Sequence, residues 1–355
     1  MATYDFQRCS VLLVEDNEYI AKLFKNILKS FKFGTVVSAS NGEEAISYLK
    51  SIKERPKARQ ELDLIISDLV MTPINGLLLL RWVRASKDCH NRMIPFMMLS
   101  GAADEEYVNS ARDLGVTEFL AKPFSVKSAY EKILHIIDRP RQFVTGTTYY
   151  GPDRRRTSGE PPGGEERRKQ NEDDAILVYS PDKVYKPDKI TNVWYWRLPN
   201  AFQSKVSGGA GGANVRGEIP LELLDEAEQQ LERSGLDFVK WAQEYLEQLS
   251  GFCTNALNSK GSRGETFAKI HNLSLELRGQ GGTFGYPLIT NISKMLYEAT
   301  SEGCPEDDTA VEIVQHHIDS MRAVLSAKIA GDGGKVGQEL VLGLKKSIEK
   351  IQAAA

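Results

Sequence analysis

Four ionisable side chains directly follow short apolar runs in the amino-terminal part of the chain. Glu15 and Asp16 follow one such run, Asp68 follows a second, and Lys122 follows a third. In an open sheet of parallel strands, chemistry takes place at the carboxyl ends of the strands. We therefore expect three acids and one lysine to meet at one edge of a sheet.

Three carboxylates in one crevice favour a bound cation. They would repel one another in water-poor surroundings unless a positive charge lay between them. A hard divalent ion with oxygen ligands removes that repulsion. Mg²⁺ is the natural choice because it keeps several waters and neutralises phosphoryl oxygens. The residue types alone thus predict a magnesium site.

The elements that would position these residues alternate in hydrophobic pattern from Val11 to about Asp138. We predict strands at 11–14, 35–39, 62–67, 94–99 and 118–120, and helices at 18–29, 42–52, 77–84, 105–114 and 127–137. Such alternation predicts a parallel sheet covered by helices on both faces. The near-continuous Val, Ile, Leu and Met of the strands fits burial on both faces. The fold class is α/β, with a doubly wound five-stranded parallel sheet.

Several motifs of this region occur together in a definite order. They are Glu15-Asp16-Asn17, Asp68 with Gly76 eight residues on, Ser100-Gly101, and Phe119-Leu120-Ala121-Lys122-Pro123. Over about 130 residues the set resembles the flavodoxin-like receiver domain of bacterial two-component response regulators. One departure is Thr72, which occupies the position of the usual proline, with Pro73 next to it. The departure removes no chemical group.

The resemblance implies a role for each residue of the acidic set. Asp16 and Asp68 would ligate Mg²⁺ directly, the backbone carbonyl of Val70 would add a third ligand, and Glu15 would act through water. Asp68 would be the nucleophile that accepts a phosphoryl group as an acyl phosphate. Lys122 would pair with a phosphoryl oxygen and stabilise the transition state. A receiver that keeps the fold but is never phosphorylated remains an alternative.

Two further residues complete the switch that the resemblance implies. The Ser100 hydroxyl would bond the new phosphoryl group, and the ring of Phe119 would fill the space that the moving loop leaves. A local change of charge would thereby shift a two-state surface. We expect that surface around the helix at 105–114, the strand at 118–120 and the last helix of the domain. Phe119 could equally be an ordinary core residue.

Residues 139–217 are rich in Gly, Pro and charge, and we predict a linker that is disordered in part. Within it, 149–156 (Tyr-Tyr-Gly-Pro-Asp-Arg-Arg-Arg) resembles a segment at the ends of receivers in some alphaproteobacterial regulators. The aromatic segment 193–198 would expose a large apolar area in water, so we expect it to dock on a domain or a partner. Glycines at 208–212 indicate a hinge.

Residues 218–355 show the apolar period of helices instead of strands. Besides an apolar helical repeat at 221–249, we predict helices at 266–278, 287–299, 309–326 and 337–351. Short connections between such helices favour a bundle of four or five helices. The chain is therefore divided into a receiver domain at 1–138, the linker, and an all-α helical bundle at 218–355.

One helix of the bundle resembles the H-x-L-K/R-G motif of histidine phosphotransfer domains, with Leu277-Arg278-Gly279 in place. Leu275 stands where the histidine is expected, and His271 lies one turn earlier. His271 and Arg278 share a face because seven residues return a helix to within about 20°. Three alternatives stay open: a phosphohistidine at His271, a degenerate bundle that only docks receivers or dimerises, and an unrelated helical domain.

Charge and composition restrict the remaining classes. The net charge is −3, and residues 216–355 carry 21 acidic side chains against 14 basic ones, so a DNA-binding output is a distant alternative. The four scattered cysteines show no metal or disulfide spacing. No apolar run approaches the length of a membrane span. We expect a cytoplasmic signalling protein and no metabolic enzyme. Its partners would be a sensor histidine kinase or phosphotransfer protein and a downstream protein, and a homodimer stays open.

Overall fold

The computed structural model describes residues 2–54, 61–101, 105–146, 149–153, 176–178, 194–196, 200–207, 217–218, 220–258 and 263–354. The chain forms two compact units. One comprises residues 1–120 and 126–227, and the other comprises residues 121–125 and 228–355.

The first unit contains the predicted α/β fold. Its chain order is β1 Ala2–Thr3, β2 Ser10–Val14, α1 Glu18–Ser30, β3 Thr35–Ala39, α2 Gly42–Glu54, β4 Leu64–Asp68, α3 Gly76–Ala85, β5 Phe96–Ser100, α4 Glu105–Leu114, β6 Glu118–Ala121 and α5 Val126–Asp138. A five-stranded sheet has the order β3-β2-β4-β5-β6. Strand β2 is parallel to β3 and β4, and β4 is parallel to β5; Leu12, for example, lies beside Ile65. The predicted doubly wound parallel sheet is confirmed.

Burial explains why these strands form the centre of the unit. All five residues of β2, β4 and β5 are buried, so neither face of these strands meets water. Helix α1 packs one apolar stripe on the sheet, with Ile20, Phe24 and Ile27 all buried. Its first turn is capped by Asn17, whose side chain accepts hydrogen bonds from two backbone N–H groups. Strand ends and helix starts therefore alternate at the carboxyl edge.

Residues 139–217 contain more structure than the sequence predicts. Strands β7 Phe143–Thr145, β8 Tyr150–Pro152, β9 Ile176–Val178 and β10 Trp194–Trp196 form a second sheet in the order β8-β7-β10-β9. Helix α6 Ala201–Val206 and β11 Gly217–Glu218 follow, and β11 pairs with β1. The stretch is thus no plain linker. Short strands of three residues give almost no periodic signal, which is why the sequence pattern missed them.

The aromatic segment owes its position to this second sheet. Tyr195 and Trp196 of β10 are buried, and the indole N–H of Trp196 donates to Thr145 Oγ1 at 2.6 Å. Ring contacts join Trp196 to Tyr150. The docking surface of the aromatics is therefore the β7–β8 hairpin of the same unit. The glycines at 208–212 lie outside the described residues.

The second unit is helical. Its helices are α7 Leu221–Asn258, α8 Gly264–Gln280, α9 Pro287–Ala299, α10 Asp308–Ser326 and α11 Gly334–Ala354. Consecutive helices from α8 to α11 pack on each other. Phe238 of α7 stacks on Phe284 with ring centroids 4.9 Å apart, which ties the long helix to the turn after α8. In the described part of the chain, no helix combines the length and the apolar character that crossing a membrane requires.

Candidate functional site

The three predicted acids converge at the carboxyl edge of the main sheet. Glu15 and Asp16 follow β2, and Asp68 is the last residue of the neighbouring strand β4. One carboxylate oxygen of each lies within 4.8 Å of the others. Among the described residues this is the only group of three or more His, Cys, Asp or Glu side chains that could hold a metal ion. The pairing of β2 with β4 thus brings acids that are far apart in the sequence together in one site.

Burial differs within the acidic group. Glu15 and Asp68 are each 3% exposed, whereas Asp16 is exposed. The backbone N–H of Glu15 donates to Ala39 O at 3.1 Å. The side-chain Oε1 of Glu15 accepts from the backbone N–H of Asn17 at 3.3 Å. The exposed carboxylate opens the site to solvent. An ion and a reactant can therefore approach from the side of Asp16.

The turn after Asp68 has a fixed course. A Cβ on Gly76 would lie 2.1 Å from the carbonyl oxygen of Asp68, so only glycine allows this close approach. Asn75 caps α3 by accepting from Leu78 N at 2.9 Å. The other side of the turn rests on Gly42, whose N–H donates to Ile74 O at 3.1 Å. The glycine eight residues after Asp68 therefore positions the turn that carries Val70.

The donor set fits the predicted ion. All three side chains offer carboxylate oxygens, which hard divalent cations such as Mg²⁺ prefer over nitrogen or sulfur ligands. Val70, whose backbone carbonyl is the remaining predicted ligand, lies two residues after Asp68 and is half-buried. The residues present thus satisfy the chemistry of a magnesium site with water in the open positions.

The remaining predicted residues lie at the ends of β5 and β6. Ser100 is the last residue of β5 and is fully buried beside the acid-bearing strand β4. Lys122 directly follows β6 and is 6% exposed. Phe119 is partly buried and packs against the core of the sheet. In the structure, Ser100 and Phe119 therefore belong to strands and Lys122 directly follows one, while their roles stay predictions.

One charged group of the same region escaped the sequence analysis. Glu118 of β6 is buried and accepts from Phe119 N and Lys132 Nζ, both at 3.0 Å, while its other oxygen lies 2.5 Å from His135 Nδ1. Burial alone would raise the pKa of Glu118, but these donors outweigh it and the pKa is lowered. The sequence signal that could have revealed this group is the pair Lys132 and His135, which lie three residues apart on the predicted helix at 127–137.

His271 lies in α8 of the second unit and is contacted by α9. Its ring stacks on Tyr297 with centroids 4.0 Å apart, and its Nδ1 is 3.3 Å from Thr300 Oγ1. The Thr300 hydroxyl donates to Leu296 O at 2.9 Å, so its oxygen is the acceptor toward His271. Nδ1 is therefore placed to donate a hydrogen bond to the Thr300 hydroxyl oxygen. Arg278 reaches the same tyrosine ring at 5.1 Å.

Comparisons with known proteins agree with the geometry of the first unit. Residues 11–134 match the model of the response regulator receiver domain. Residues 11–134 are a receiver domain. Vibrio cholerae chemotaxis protein CheY-3 is 26% identical to this chain over 129 residues, which cover 36% of this chain and 92% of CheY-3. For Pseudomonas aeruginosa chemotaxis protein CheY the identity is 29%, with 96% of that protein covered.

Solved structures are similar to the same part of the chain. A response regulator receiver protein from Pseudomonas putida is 31% identical, with 36% of this chain and 95% of that chain covered and a TM-score of 0.30. Vibrio cholerae CheY4 is 26% identical with a TM-score of 0.31. The family match ends at residue 134. The likeness of residues 218–355 to phosphotransfer bundles therefore stays a prediction.

Proposed function

We propose that the receiver domain accepts a phosphoryl group on Asp68 in a Mg²⁺-dependent reaction and that the chain is the response regulator of a phosphorelay. The observation that carries the proposal is the convergence of Glu15, Asp16 and Asp68 within 4.8 Å at the end of two neighbouring strands. The helical unit is the output in this scheme.

The proposed reaction moves one phosphoryl group. An Asp68 oxygen attacks the phosphorus of a phosphohistidine, the N–P bond breaks as the O–P bond forms, and the donor histidine retains the electron pair. Bound Mg²⁺ would supply positive charge to the phosphoryl oxygens. Lys122 adds a cation at the end of β6, and the Ser100 hydroxyl offers a hydrogen bond at the end of β5. The donor would be a sensor histidine kinase or a phosphotransfer protein.

A second candidate function is a relay in which His271 also carries the phosphoryl group. Nδ1 of His271 lies 3.3 Å from Thr300 Oγ1, and donation of a hydrogen bond from Nδ1 to this oxygen would make Nε2 the nucleophilic nitrogen in this scheme. Tyr297 links His271 to Arg278, so that the cation and the imidazole act on one ring although they lie two turns apart on α8. This arrangement favours the relay over an inert helical face.

The chemical stability of the phosphorylated protein tests both candidates. The full chain is incubated with Mg²⁺ and radiolabelled acetyl phosphate, or with a phosphorylated kinase, and the label is then followed in acid and in base. An acyl phosphate on Asp68 gives label that survives acid and is lost in base. Additional acid-labile label would support the relay. Protein that takes up no label from either donor would refute the proposed function.

A further inference from the structure

The β7–β8 hairpin packs on the connection between α4 and β6 of the receiver domain. Gly115 in this connection has φ +92°, a conformation that favours glycine. A Cβ added to Gly151 of β8 would lie 2.9 Å from Gly115 Cα and 2.7 Å from the Tyr149 hydroxyl. The two glycines therefore allow the hairpin backbone to lie directly against the receiver backbone.

Two arginines of the receiver fasten the hairpin through its aromatic rings. The guanidinium of Arg84, which is 3% exposed, lies 5.2 Å from the ring centre of Phe143. Arg92 lies 4.0 Å from the ring centre of Tyr150. Burial lowers the pKa of Arg84 to about 10 and raises the pKa of Tyr150 to about 12, so Arg84 is charged and Tyr150 neutral near pH 7. Desolvated cation–π pairs of this kind are among the stronger ones.

Arg84 and a further arginine, Arg141, hold the α4–β6 connection itself. Arg84 Nε donates to Gly115 O at 3.0 Å. From the other side Arg141, just before β7, donates to Val116 O at 3.4 Å and Thr117 O at 3.5 Å, and its second nitrogen donates to Asp153 O beyond β8. Receiver and hairpin therefore share one set of guanidinium groups around residues 115–117.

The contacts to residues 115–117 directly follow the carboxyl end of α4. The opposite end of α4 begins at Glu105, a few residues after Ser100, whose loop is drawn inward in the proposed switch. We propose that residues 141–146 and 149–153 are a built-in clamp that fixes the carboxyl end of α4 and confines its movement on phosphorylation to the amino-terminal turns. The proposal rests on the proposed function for the activating event, and on the geometry alone for the clamp.

The clamp is tested by distances between spin labels in the full chain. Labels on Lys22→Cys paired with Tyr107→Cys or with Arg112→Cys report the two ends of α4, and all three sites are exposed. The labelled variants also carry Cys304→Ser, because Cys304 is the one cysteine of the four that is not buried. Mg²⁺ and beryllofluoride, which mimics a phosphoryl group on an aspartate, activate the protein. We expect the distance to shift at Tyr107 and to stay constant at Arg112.

Variants of the hairpin provide the decisive arm. Gly151→Ala pushes the hairpin off Gly115, and Arg141→Met removes the donors to residues 116 and 117; both should let the label at Arg112 move as well. Gly146→Ala is the matched control in the same hairpin, because a Cβ there meets nothing within 4 Å. Equal movement at both ends in the wild type, no movement at either end, or no effect of Gly151→Ala and Arg141→Met would overturn the proposal.

Amide hydrogen exchange tests the clamp without activation. The amides of residues 115–117 should exchange faster in Gly151→Ala and Arg141→Met than in the wild type and Gly146→Ala. Unchanged exchange would refute the clamp even in a protein that cannot be phosphorylated. Failure of the proposed function appears instead as the absence of acyl phosphate on Asp68 with normal protection at residues 115–117.

Discussion

The carboxyl edge of the receiver and the α8–α9 face of the second unit assemble their polar residues in different ways. In the receiver, the pairing of neighbouring strands brings Glu15, Asp16 and Asp68 together. On the helical face, His271 and Arg278 share one helix and interact through Tyr297 of another. A parallel sheet focuses strand ends at one edge, whereas a helix spreads its residues along its length.

The two regions differ in how well a sequence motif predicts a site. A complete set of motifs at successive strand ends predicts a site because the fold itself supplies the geometry. A partial motif on one helix does not predict whether a site forms, because the contacts of the histidine depend on the neighbouring helix. Experiments that treat the two regions in parallel can therefore separate phosphoryl transfer at strand ends from a helical surface that only binds.

The largest effect is expected on phosphorylation. Asp68→Asn removes the attacking oxygen at nearly constant shape and should abolish the base-labile label completely. His271→Gln should leave that label unchanged, because His271 belongs to the other unit. Phosphate-affinity electrophoresis of both variants measures the effect. Persistent acid-stable label in Asp68→Asn would show that another carboxylate is the acceptor.

The next largest effect is expected on the affinity for Mg²⁺. Glu15→Gln, which would act through water, should weaken Mg²⁺ binding about 10- to 100-fold, the usual effect of losing an outer-shell partner. Asp16→Asn, as a direct ligand, should weaken it further. Saturation at 100 times Kd should stabilise the wild-type first unit by about 2.7 kcal/mol.

Titration calorimetry and unfolding with and without Mg²⁺ measure both quantities. Within the described part of the second unit no comparable group of ligands occurs, so its hydrogen exchange should not respond to the ion. Equal Mg²⁺ affinity in the wild type and Asp16→Asn would contradict the assignment of the acids as ligands.

In the second unit, stability should fall in mildly acidic solution because of His317. This histidine is 1% exposed, and its Nδ1 donates to Ile313 O at 2.7 Å. Burial lowers its pKa, and the hydrogen bond offsets this only in part. Below about pH 6.5 the unfolded chain therefore binds a proton that the folded unit does not, which costs at most about 1.4 kcal/mol per pH unit.

Hydrogen exchange of peptides from α10 as a function of pH measures this loss. His317→Leu should flatten the profile between pH 5 and about 6.5, the ordinary pKa of histidine. His316→Gln is the matched control on the adjacent position and should keep most of the wild-type slope, because burial is the largest cause of the lowered pKa of His317 and the neighbouring imidazole is a smaller one. A slope that survives in His317→Leu would assign the pH dependence to another group.

In the first unit, the free energy of unfolding should depend on pH in a more acidic range, because of Glu118. The lowered pKa of Glu118 means that its ionised form stabilises the folded state. That contribution is complete above about pH 4.3 and is lost as the pH falls through the folded pKa. The difference in unfolding free energy between the wild type and Glu118→Gln should therefore shrink below about pH 4.3. A constant difference down to pH 3 would show that Lys132 and His135 do not favour the carboxylate.

The sequence predicted the receiver well because each of its elements has a strong local signal. Apolar runs determine the central parts of β2, β4 and β5, and the stripe at Ile20, Phe24 and Ile27 determines α1. The second sheet was missed because its strands have three residues each and pair across long stretches of chain. The aromatic character of Trp194–Trp196 was visible, but the partner strands β7 and β9 were not.

The sequence by itself determined the chemistry of the receiver: which carboxylates, lysine and serine end which strands, and hence that a hard cation fits among them. The tertiary structure adds that residues 141–146 and 149–153 belong to this unit, and that Arg84 and Arg141 fasten them to the α4–β6 connection. It also shows that Tyr297 and Thr300 of α9 contact His271. Local periodicity arranges the strand ends, whereas cation–π contacts, close glycine pairs and the surroundings of a histidine depend on neighbours that are remote in sequence.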